Sequence, residues 1–482
     1  MIASVKTDLR ASKVGADKLG ADLGGSTGVQ CIVVNGIGQR ETVRYKPSGP
    51  TRAGFASPVN RSEFMKSISI LAVSLAVTSA IVASPADAQR RKKGEAAAPA
   101  VDPNARVYNF SKAGRPAIAA LQTAVTAKDA AGVATNLAAA QAAASTPDDR
   151  YAIAQLQLKY ALDTQNLPGQ TAALNALAQS GGAAPTELPK IYRNLGALSY
   201  NAKDWAGAVA AYDRLIQLEP GNADDLVTLG EIRVKRGQAA EGVALIERAI
   251  ATKTAAGQTA DENWYKRAVG LSTDAKLTPQ ALKLAREWVT AYPTPQNWRD
   301  ALGNYRFLVP LDEAAELDHG RLQRASGALQ GERAYRVFAQ ILIDRRFYGE
   351  AKSVLDEGVA KRIIDPAKPE YKALITQATR SAATDRPTIA ASEAKALSSA
   401  EGRIALNVAD SYFGYADYAK AASFYRTALS KTGVDTNLIN TRLGIALAMS
   451  GDKAGSTAAF SAVTGPRQEL ARFWMLWLSR RA

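Results

Sequence analysis

Residues 191–220 have the sequence IYRNLGALSYNAKDWAGAVAAYDRLIQLEP, and residues 221–250 continue GNADDLVTLGEIRVKRGQAAEGVALIERAI. Gly196 and Gly230 are 34 residues apart, and each is followed by a second small residue twelve positions on, Ala208 and Gly242. Apolar residues at helical spacing surround these small residues, and Pro220 stops the first segment. The pattern predicts two consecutive pairs of helices that approach most closely where the small side chains lie.

The same step of twelve residues recurs towards the C-terminus, between Ala339 and Ala351, Ala409 and Ala421, and Gly444 and Ser456. Residues that tolerate turn geometry stand between the two helices of a pair, namely Lys203-Asp204, Gly237-Gln238 and Gly451-Asp452. A spacing that is repeated this often indicates an array of structural repeats rather than a single globular core.

The first unit resembles the tetratricopeptide repeat (TPR), whose signature is W-x2-L-G-x2-Y…A-x3-F…P. The matching residues here are Tyr192, Leu195, Gly196, Ala208, Tyr212 and Pro220. The resemblance covers residues 188–252, 332–360 and 402–465 and is loose elsewhere. It implies an all-α fold: a right-handed superhelical solenoid of TPR-like helix-turn-helix pairs, closed by a C-terminal capping helix.

Composition and repeat pattern divide the chain into segments. We predict a leader without structure (1–64), a signal peptide (65–88), a linker (89–110), degenerate helical repeats (111–187), TPR units (188–293), irregular and TPR-like helical repeats (294–400), further TPR units (401–465) and an aromatic capping helix (466–482). The last helix, rich in Phe and Trp, would cover the final exposed apolar face of the array. Since Trp beside Arg also suits a membrane surface, an interfacial helix is the alternative.

Residues 65–88 have the three parts of a secretory signal. Met65-Lys66 is a short positive start, Ile68–Val82 is apolar, and Ala86-Asp87-Ala88 supplies the small residues of a cleavage site. Because signals act from an N-terminus, we predict that translation begins at Met65 and that residues 1–64 are a misassigned start. The protein would then be periplasmic or secreted. The alternative is an uncleaved inner-membrane anchor, since the positive charges of residues 90–93 resist translocation.

The residues that carry chemistry are few. One cysteine, Cys31, and one histidine, His319, leave no disulfide framework and no Cys/His metal cluster within the chain. We expect His319 to lie in the C-terminal turn of a helix, where the helix dipole favours it. Residues 21–28 resemble the phosphate loop of sugar kinases of the actin-like fold, but a signal peptide follows where that fold needs more strands. We therefore predict no enzyme activity, no cofactor and no metal.

The net charge of +15 favours an acidic partner. No basic patch interleaved with aromatic residues follows residue 100, so we predict a protein or peptide partner and no nucleic acid. Membrane contact is expected only through the signal segment or the C-terminal helix. In the TPR family the first helices of the pairs line a concave groove, and the resemblance places these residues there: Arg193, Asn194, Asn201, Lys266, Arg336, Gln340, Asn407, Asp410 and Arg442.

The family includes members that clamp a C-terminal carboxylate, but Val227 and Thr228 occupy the matching stretch of the second unit and argue against such a clamp. The sequence thus predicts a non-catalytic protein–protein interaction scaffold of the bacterial cell envelope. A membrane-tethered TPR adaptor with an uncleaved anchor is one alternative, and an enzyme accessory subunit is the other.

Overall fold

The computed structural model describes residues 29–34, 40–45 and 106–481 of the chain. The chain divides into two compact units, Met1–Pro58 and Val59–Ala482. In the first unit, strands β1 (Val29–Val34) and β2 (Arg40–Tyr45) pair antiparallel. The prediction of a leader without structure is therefore wrong for these residues, because their β-branched side chains favour extended backbone. The glycine-rich stretch 21–28 and the predicted signal peptide 65–88 lie outside the described residues.

In the second unit, the described residues form α-helices joined by short turns, together with a 3₁₀ helix at Gly465–Arg467. The α-helices are α1 (Gly114–Ala127), α2 (Ala130–Ala143), α3 (Pro147–Asp163), α4 (Leu167–Gln179), α5 (Leu188–Asn201), α6 (Trp205–Leu218), α7 (Ala223–Lys235), α8 (Ala239–Ala255), α9 (Glu262–Asp274), α10 (Thr278–Ala291), α11 (Pro295–Leu308), α12 (Glu313–Ala325), α13 (Glu332–Asp344), α14 (Tyr348–Ala360), α15 (Pro369–Ser398), α16 (Gly402–Gly414), α17 (Tyr418–Leu429), α18 (Thr436–Ser450), α19 (Lys453–Ser461) and α20 (Gln468–Ser479).

The turn inside each repeat has a constant backbone conformation. A residue with positive φ joins α5 to α6, α7 to α8, α9 to α10, α13 to α14, α16 to α17 and α18 to α19; these residues are Lys203, Gly237, Lys276, Arg346, Ala416 and Gly451. Each closes the first helix in the left-handed conformation that reverses the chain. Because the same geometry recurs seven residues after Gly196, Gly230, Ala339, Ala409 and Gly444, the predicted units are confirmed as helix-turn-helix pairs.

The small residues have the role that their spacing predicts. A Cβ atom built on Gly196 would lie 2.5 Å from the Tyr212 ring, and one built on Gly230 would lie 2.7 Å from the carbonyl oxygen of Gly242. Ala208, Ala339, Ala351, Ala409 and Ala421 are completely buried. The two helices of a pair therefore touch through backbone and aromatic rings at these points, which leaves no room for larger side chains.

The segment predicted to hold irregular and TPR-like helical repeats is helical over most of its length. Between residues 295 and 398 the chain forms five consecutive helices, α11–α15. Helix α15 has 30 residues and contains Pro387, and it buries a narrow stripe of residues: Tyr371, Leu374, Ala378, Ala382, Ile389 and Ala396. Its opposite face is exposed and rich in Ala, Ser, Thr and charged residues, which is why the repeat signature is faint there.

The C-terminal helix covers the last repeat and also packs against the middle of the array. The Trp474 ring stacks on Phe460 of α19, as predicted for a cap. The Phe473 ring also contacts Trp298 and Tyr305 of α11, and Trp477 Nε1 donates to the carbonyl oxygen of Ala325 at 3.0 Å. Helix α20 thus joins two regions of the repeat array that are distant in sequence. Among the described helices, none combines the length and the apolar character needed to span a bilayer.

Candidate protein-interaction surface

Three of the predicted groove residues lie on α5 and one on α9. The Arg193 guanidinium donates to Asp225 Oδ2 at 2.6 Å and to Glu219 Oε2 at 2.7 Å. It therefore forms ion pairs that link adjacent repeats. Lys266 Nζ lies 3.0 Å from Glu262 Oε1 and over the Trp288 ring. Asn194 is half-buried and Asn201 is exposed. The cations in this part of the predicted groove are therefore neutralised by neighbouring carboxylates.

Asp410 and Arg442 do not line a groove, and this part of the prediction is wrong. Both residues are buried, with exposed fractions of 4 % and 5 %. The Arg442 guanidinium donates to Asp410 Oδ2, and the Tyr425 hydroxyl donates to Asp410 Oδ1 at 2.6 Å. Helix α18 is buried around most of its circumference, because α12 packs on the face that the TPR register assigns to the groove.

The pair belongs to a buried charge network, defined as Asp318, Arg321, Glu350, Asp410, Arg442 and Arg467. Arg321 donates to Glu350 Oε2 at 2.7 Å and to Asp318 Oδ1 at 2.9 Å. Arg442 Nε lies 3.3 Å from Asp318 Oδ1, and Arg467 Nη1 lies 3.4 Å from Asp318 Oδ2. Three guanidiniums thus face three buried carboxylates, and Arg467 reaches a fourth, Asp312, at 2.8 Å. Paired ions of this kind are retained in an interior only when almost every donor has an acceptor.

His319 lies in the middle of α12 and not at its end, so the prediction of a C-terminal capping residue is wrong. Its side chain is 2 % exposed, and its Nε2 atom lies 3.1 Å from the carbonyl oxygen of Leu302. Burial lowers the pKa of His319 from 6.5 to about 4. The helix continues past Gly320 to Ala325. The Phe338 ring packs against the helix at Gly320, so this glycine makes room for a ring and does not end the helix.

Arg336, Gln340 and Asn407 are the predicted residues that remain exposed together with Asn201. Arg336 lies on α13, whose first turn is held against the start of α15: Lys368 Nζ lies 2.6 Å from Glu332 Oε1, and the Tyr371 hydroxyl donates to the carbonyl oxygen of Glu332 at 3.2 Å. Burial raises the pKa of Tyr371, and the positive charge of Arg336 opposes that rise.

An open cleft of about 670 Å³ follows this junction along α15. It is lined by Pro369, Lys372, Ala373, Thr376, Gln377, Arg380 and Ser381. We define the basic surface as Arg336, Lys372 and Arg380. None of the three forms an ion pair within residues 106–481, whereas Arg193, Lys266 and Arg442 of the predicted groove are paired. The carboxylates beside it are few: Glu370 is exposed, and Asp344 accepts a hydrogen bond from Gln340 at 2.7 Å.

No protein-family model matches the chain, and no curated protein matches it. A solved TPR protein from Parabacteroides merdae is 12 % identical, with 61 % of this chain and 100 % of that chain covered and a TM-score of 0.19. The TPR domain of P58(IPK) is 13 % identical, with 70 % of this chain and 98 % of that chain covered and a TM-score of 0.22. A chain of the complex of Naa15/Naa10 bound to HypK-THB is 14 % identical, with 74 % of this chain and 64 % of that chain covered and a TM-score of 0.23. Superpositions this loose support no conclusion about function.

The internal geometry decides the class of fold: helix pairs, a left-handed residue in each turn and small residues twelve positions apart. The chain has a TPR-like fold. In this TPR-like array, the first helices α13 and α15 carry the basic surface.

The sequence prediction names Arg336 and Gln340, which are exposed in the structure, but not Lys372, Thr376 and Arg380, which line the cleft. These three residues recur every four positions and therefore share one face of a helix. That spacing is visible in the sequence. The TPR register is faint between residues 363 and 399, however, so the pattern alone does not show which face of the helix is left uncovered.

Proposed function

We propose that the protein is a non-catalytic interaction scaffold whose basic surface binds an acidic segment of a partner protein. The observation that carries the proposal is the contrast between this surface and the other cations that the sequence places in the groove. Arg193, Lys266 and Arg442 are already paired with carboxylates, so they offer little to a ligand. Arg336, Lys372 and Arg380 are exposed and free to pair with carboxylates from another chain.

The chemistry of the cleft fits an extended peptide better than a compact small molecule. The cleft is open along the side of a helix, and Thr376, Gln377 and Ser381 line it together with the two cations of α15. Hydroxyl and amide groups hydrogen-bond to peptide backbone, while Lys and Arg attract carboxylates. Because each exposed ion pair contributes only about 0–1 kcal/mol, affinity has to come from several contacts together.

The non-catalytic part of the proposal comes from the sequence, which has one histidine and one cysteine and offers no nucleophile–base pair. No group of three or more His, Cys, Asp or Glu residues in the part of the chain that the structure describes is arranged to hold a metal ion. The one histidine is buried against a backbone carbonyl and has no access to a substrate. An enzyme accessory subunit remains the alternative function, because a scaffold of this kind can hold a catalytic partner.

Charge reversal at the basic surface tests the proposal. Partners are captured on the full chain from envelope extracts and identified, and the affinity of the purified partner is measured for the wild type and for Arg336→Glu/Lys372→Glu/Arg380→Glu. We expect at least a tenfold loss of affinity and a loss of the salt dependence that ion pairing produces. The matched control is Arg214→Glu/Arg299→Glu/Arg426→Glu, which changes net charge equally at exposed positions elsewhere and should bind like the wild type.

Two outcomes would contradict the proposal. One is a partner whose affinity and salt dependence are the same for the two triple variants. The other is a partner that binds through a basic segment. Circular dichroism of both variants shows whether the array is still folded, and both sets of residues are exposed, so neither triple substitution should unfold it.

We further propose that the protein acts outside the cytoplasm, with residues 65–88 as its signal. Support comes from the sequence of that segment, with Ala86-Asp87-Ala88 as the cleavage site. Mass spectrometry of the N-terminal peptide from native protein tests the location. A mature N-terminus at Gln89 supports export, whereas a peptide that spans Ala88 and Gln89 supports the membrane-tethered alternative.

A further inference from the structure

The chain's own residues Arg106–Phe110 lie extended against helix α3 and the start of α5. The sequence predicts a linker up to residue 110, but this part of it is bound to the array. This part is bound because Arg106, Tyr108 and Phe110 each contact residues of the helices. The small residues earlier in the linker have no side chains that could make such contacts. Two different kinds of contact hold the segment, and they divide it into an anchor and a strap.

The anchor is Phe110. Its side chain is 8 % exposed and belongs to the apolar cluster of α1 and α3 that includes Ile118, Leu121 and Leu156. The next residues continue directly into α1, and Ser111 N donates to Asp149 Oδ1 at 3.1 Å. From Phe110 onwards the chain is therefore part of the folded core.

The strap is Arg106–Tyr108, and polar and ring contacts at the surface hold it. Arg106 donates to Asp148 Oδ1 at 2.9 Å and lies 3.6 Å from Glu187 Oε2. Its guanidinium carbon stands 4.2 Å from the centre of the Tyr151 ring, and the guanidinium also donates to the carbonyl oxygen of Gly182. This guanidinium thus meets two carboxylates, a carbonyl and an aromatic face, which is the full set of groups that recognise arginine.

Tyr108 completes the recognition. Its hydroxyl donates to Gln155 Oε1 at 2.9 Å, and its ring lies 6.4 Å from that of Tyr151. Val107 between them is 92 % exposed, so the strap presents alternate side chains to the helices as a bound extended peptide does. Asp148, Tyr151, Gln155 and Glu187 therefore form a cleft with one pocket for arginine and one for tyrosine; we call it the Arg–Tyr cleft.

We propose that the Arg–Tyr cleft is a second peptide-binding site of the array, specific for extended segments with an Arg-x-Tyr pattern, and that the strap occupies it in cis. A partner segment with this pattern binds by displacing the strap while Phe110 stays anchored. The tether makes the strap a strong competitor, since a short linkage gives an effective concentration in the millimolar range. The site is opposite in charge to the basic surface and is independent of the function proposed for that surface.

The test uses the full chain and a labelled peptide of residues 103–112, PNARVYNFSK. We expect weak binding to the wild type and at least tenfold tighter binding to Arg106→Ala/Tyr108→Ala, in which the strap no longer competes. Adding Asp148→Asn and Glu187→Gln to this variant should abolish the gain, because these changes keep the hydrogen-bonding groups but remove both charges that face the arginine. A peptide with Arg106→Ala is the control ligand and should not bind.

Each result decides the matter. Tighter binding that depends on Asp148 and Glu187 supports the site. Equal binding of the peptide to the wild type and to Arg106→Ala/Tyr108→Ala overturns it. If that variant instead loses helix by circular dichroism, the strap is part of the core and the proposal also fails. None of these outcomes affects the basic surface, whose triple variant leaves the strap unchanged.

Discussion

At the scale of single residues, the charge network shows how tertiary packing changes the role of a side chain. Asp318 is completely buried and lies within 3.4 Å of guanidinium groups from Arg321, Arg442 and Arg467. Two of these arginines come from elements that follow α12 by more than a hundred residues. A buried carboxylate shared in this way stabilises the packing only while every partner is present, because each buried charge has lost its hydration.

We therefore predict that Asp318→Asn lowers the free energy of unfolding by about 3–5 kcal/mol, since three arginines would then face two carboxylates in the interior. Urea unfolding followed by circular dichroism measures the change. The control is Asp356→Asn, whose side chain is 53 % exposed and pairs with Lys352; it should cost less than about 0.5 kcal/mol. Similar losses for the two variants would show that the network is not a stabilising unit.

His319 gives the chain a pH dependence that can be isolated, because it is the only histidine. The folded pKa of about 4 lies below the ordinary value of 6.5, so the unfolded chain takes up the proton first as the pH falls. Stability is complete above pH 6.5 and decreases down to about pH 4. From pH 7 to pH 5 the wild type should lose about 2 kcal/mol more than His319→Gln. Urea unfolding at both pH values measures this, and equal losses would contradict the buried neutral imidazole.

At the scale of the elements, the helix pairs depend on small residues at the points of contact. A Cβ atom on Gly444 of α18 would lie 2.6 Å from the ring of Phe460 on α19, and this ring is 1 % exposed and cannot move away. On Gly303 of α11, a Cβ atom would meet nothing within 4 Å. Both glycines are inside helices, so the same substitution should have opposite effects.

We predict that Gly444→Ala destabilises the array by about 1–3 kcal/mol through overpacking, whereas Gly303→Ala stabilises it by about 0.5–1 kcal/mol through higher helix propensity. Thermal unfolding of both variants beside the wild type measures the two signs. A neutral or stabilising Gly444→Ala would mean that the helices of the last pair do not touch as closely as described.

At the scale of the array, the C-terminal helix connects repeats that are far apart in sequence. Phe473 is completely buried between Trp298 and Tyr305, and Arg286 of α10 pairs with Glu469 of α20. Helix α20 is thus a cap for the last repeat and a packing partner for α10–α12. An ordinary solenoid repeat contacts only its neighbours, so this contact makes the middle of the array depend on the end of the chain.

Phe473→Ala should therefore destabilise α11 as well as α20, by about 3–5 kcal/mol for the loss of a buried ring. Hydrogen exchange read peptide by peptide should become faster in residues 295–308. The control is Phe110→Ala at the other end of the array, which should speed exchange in α1 and α3 and leave α11 unchanged. Unchanged exchange in α11 after Phe473→Ala would contradict the long-range contact.

The sequence by itself determined the repeat. Small residues, turn residues and apolar residues at fixed spacing act over one or two helical turns and between adjacent helices, so the helix pairs, their left-handed turns and the aromatic cap could be predicted from local order alone. Local order also places Arg336 and Gln340 on the first helix of a pair, where both are exposed.

Only the tertiary structure decided which charged residues are available to a partner. Arg442 and Arg336 both lie on the first helix of a repeat, yet α12 and the end of the chain bury the first, while the second is exposed. The docking of Arg106–Tyr108 on α3 is of the same kind. Burial depends on elements that the chain brings together across 42 residues in one case and 124 in the other, and the local spacing of residues carries no information about which elements those are.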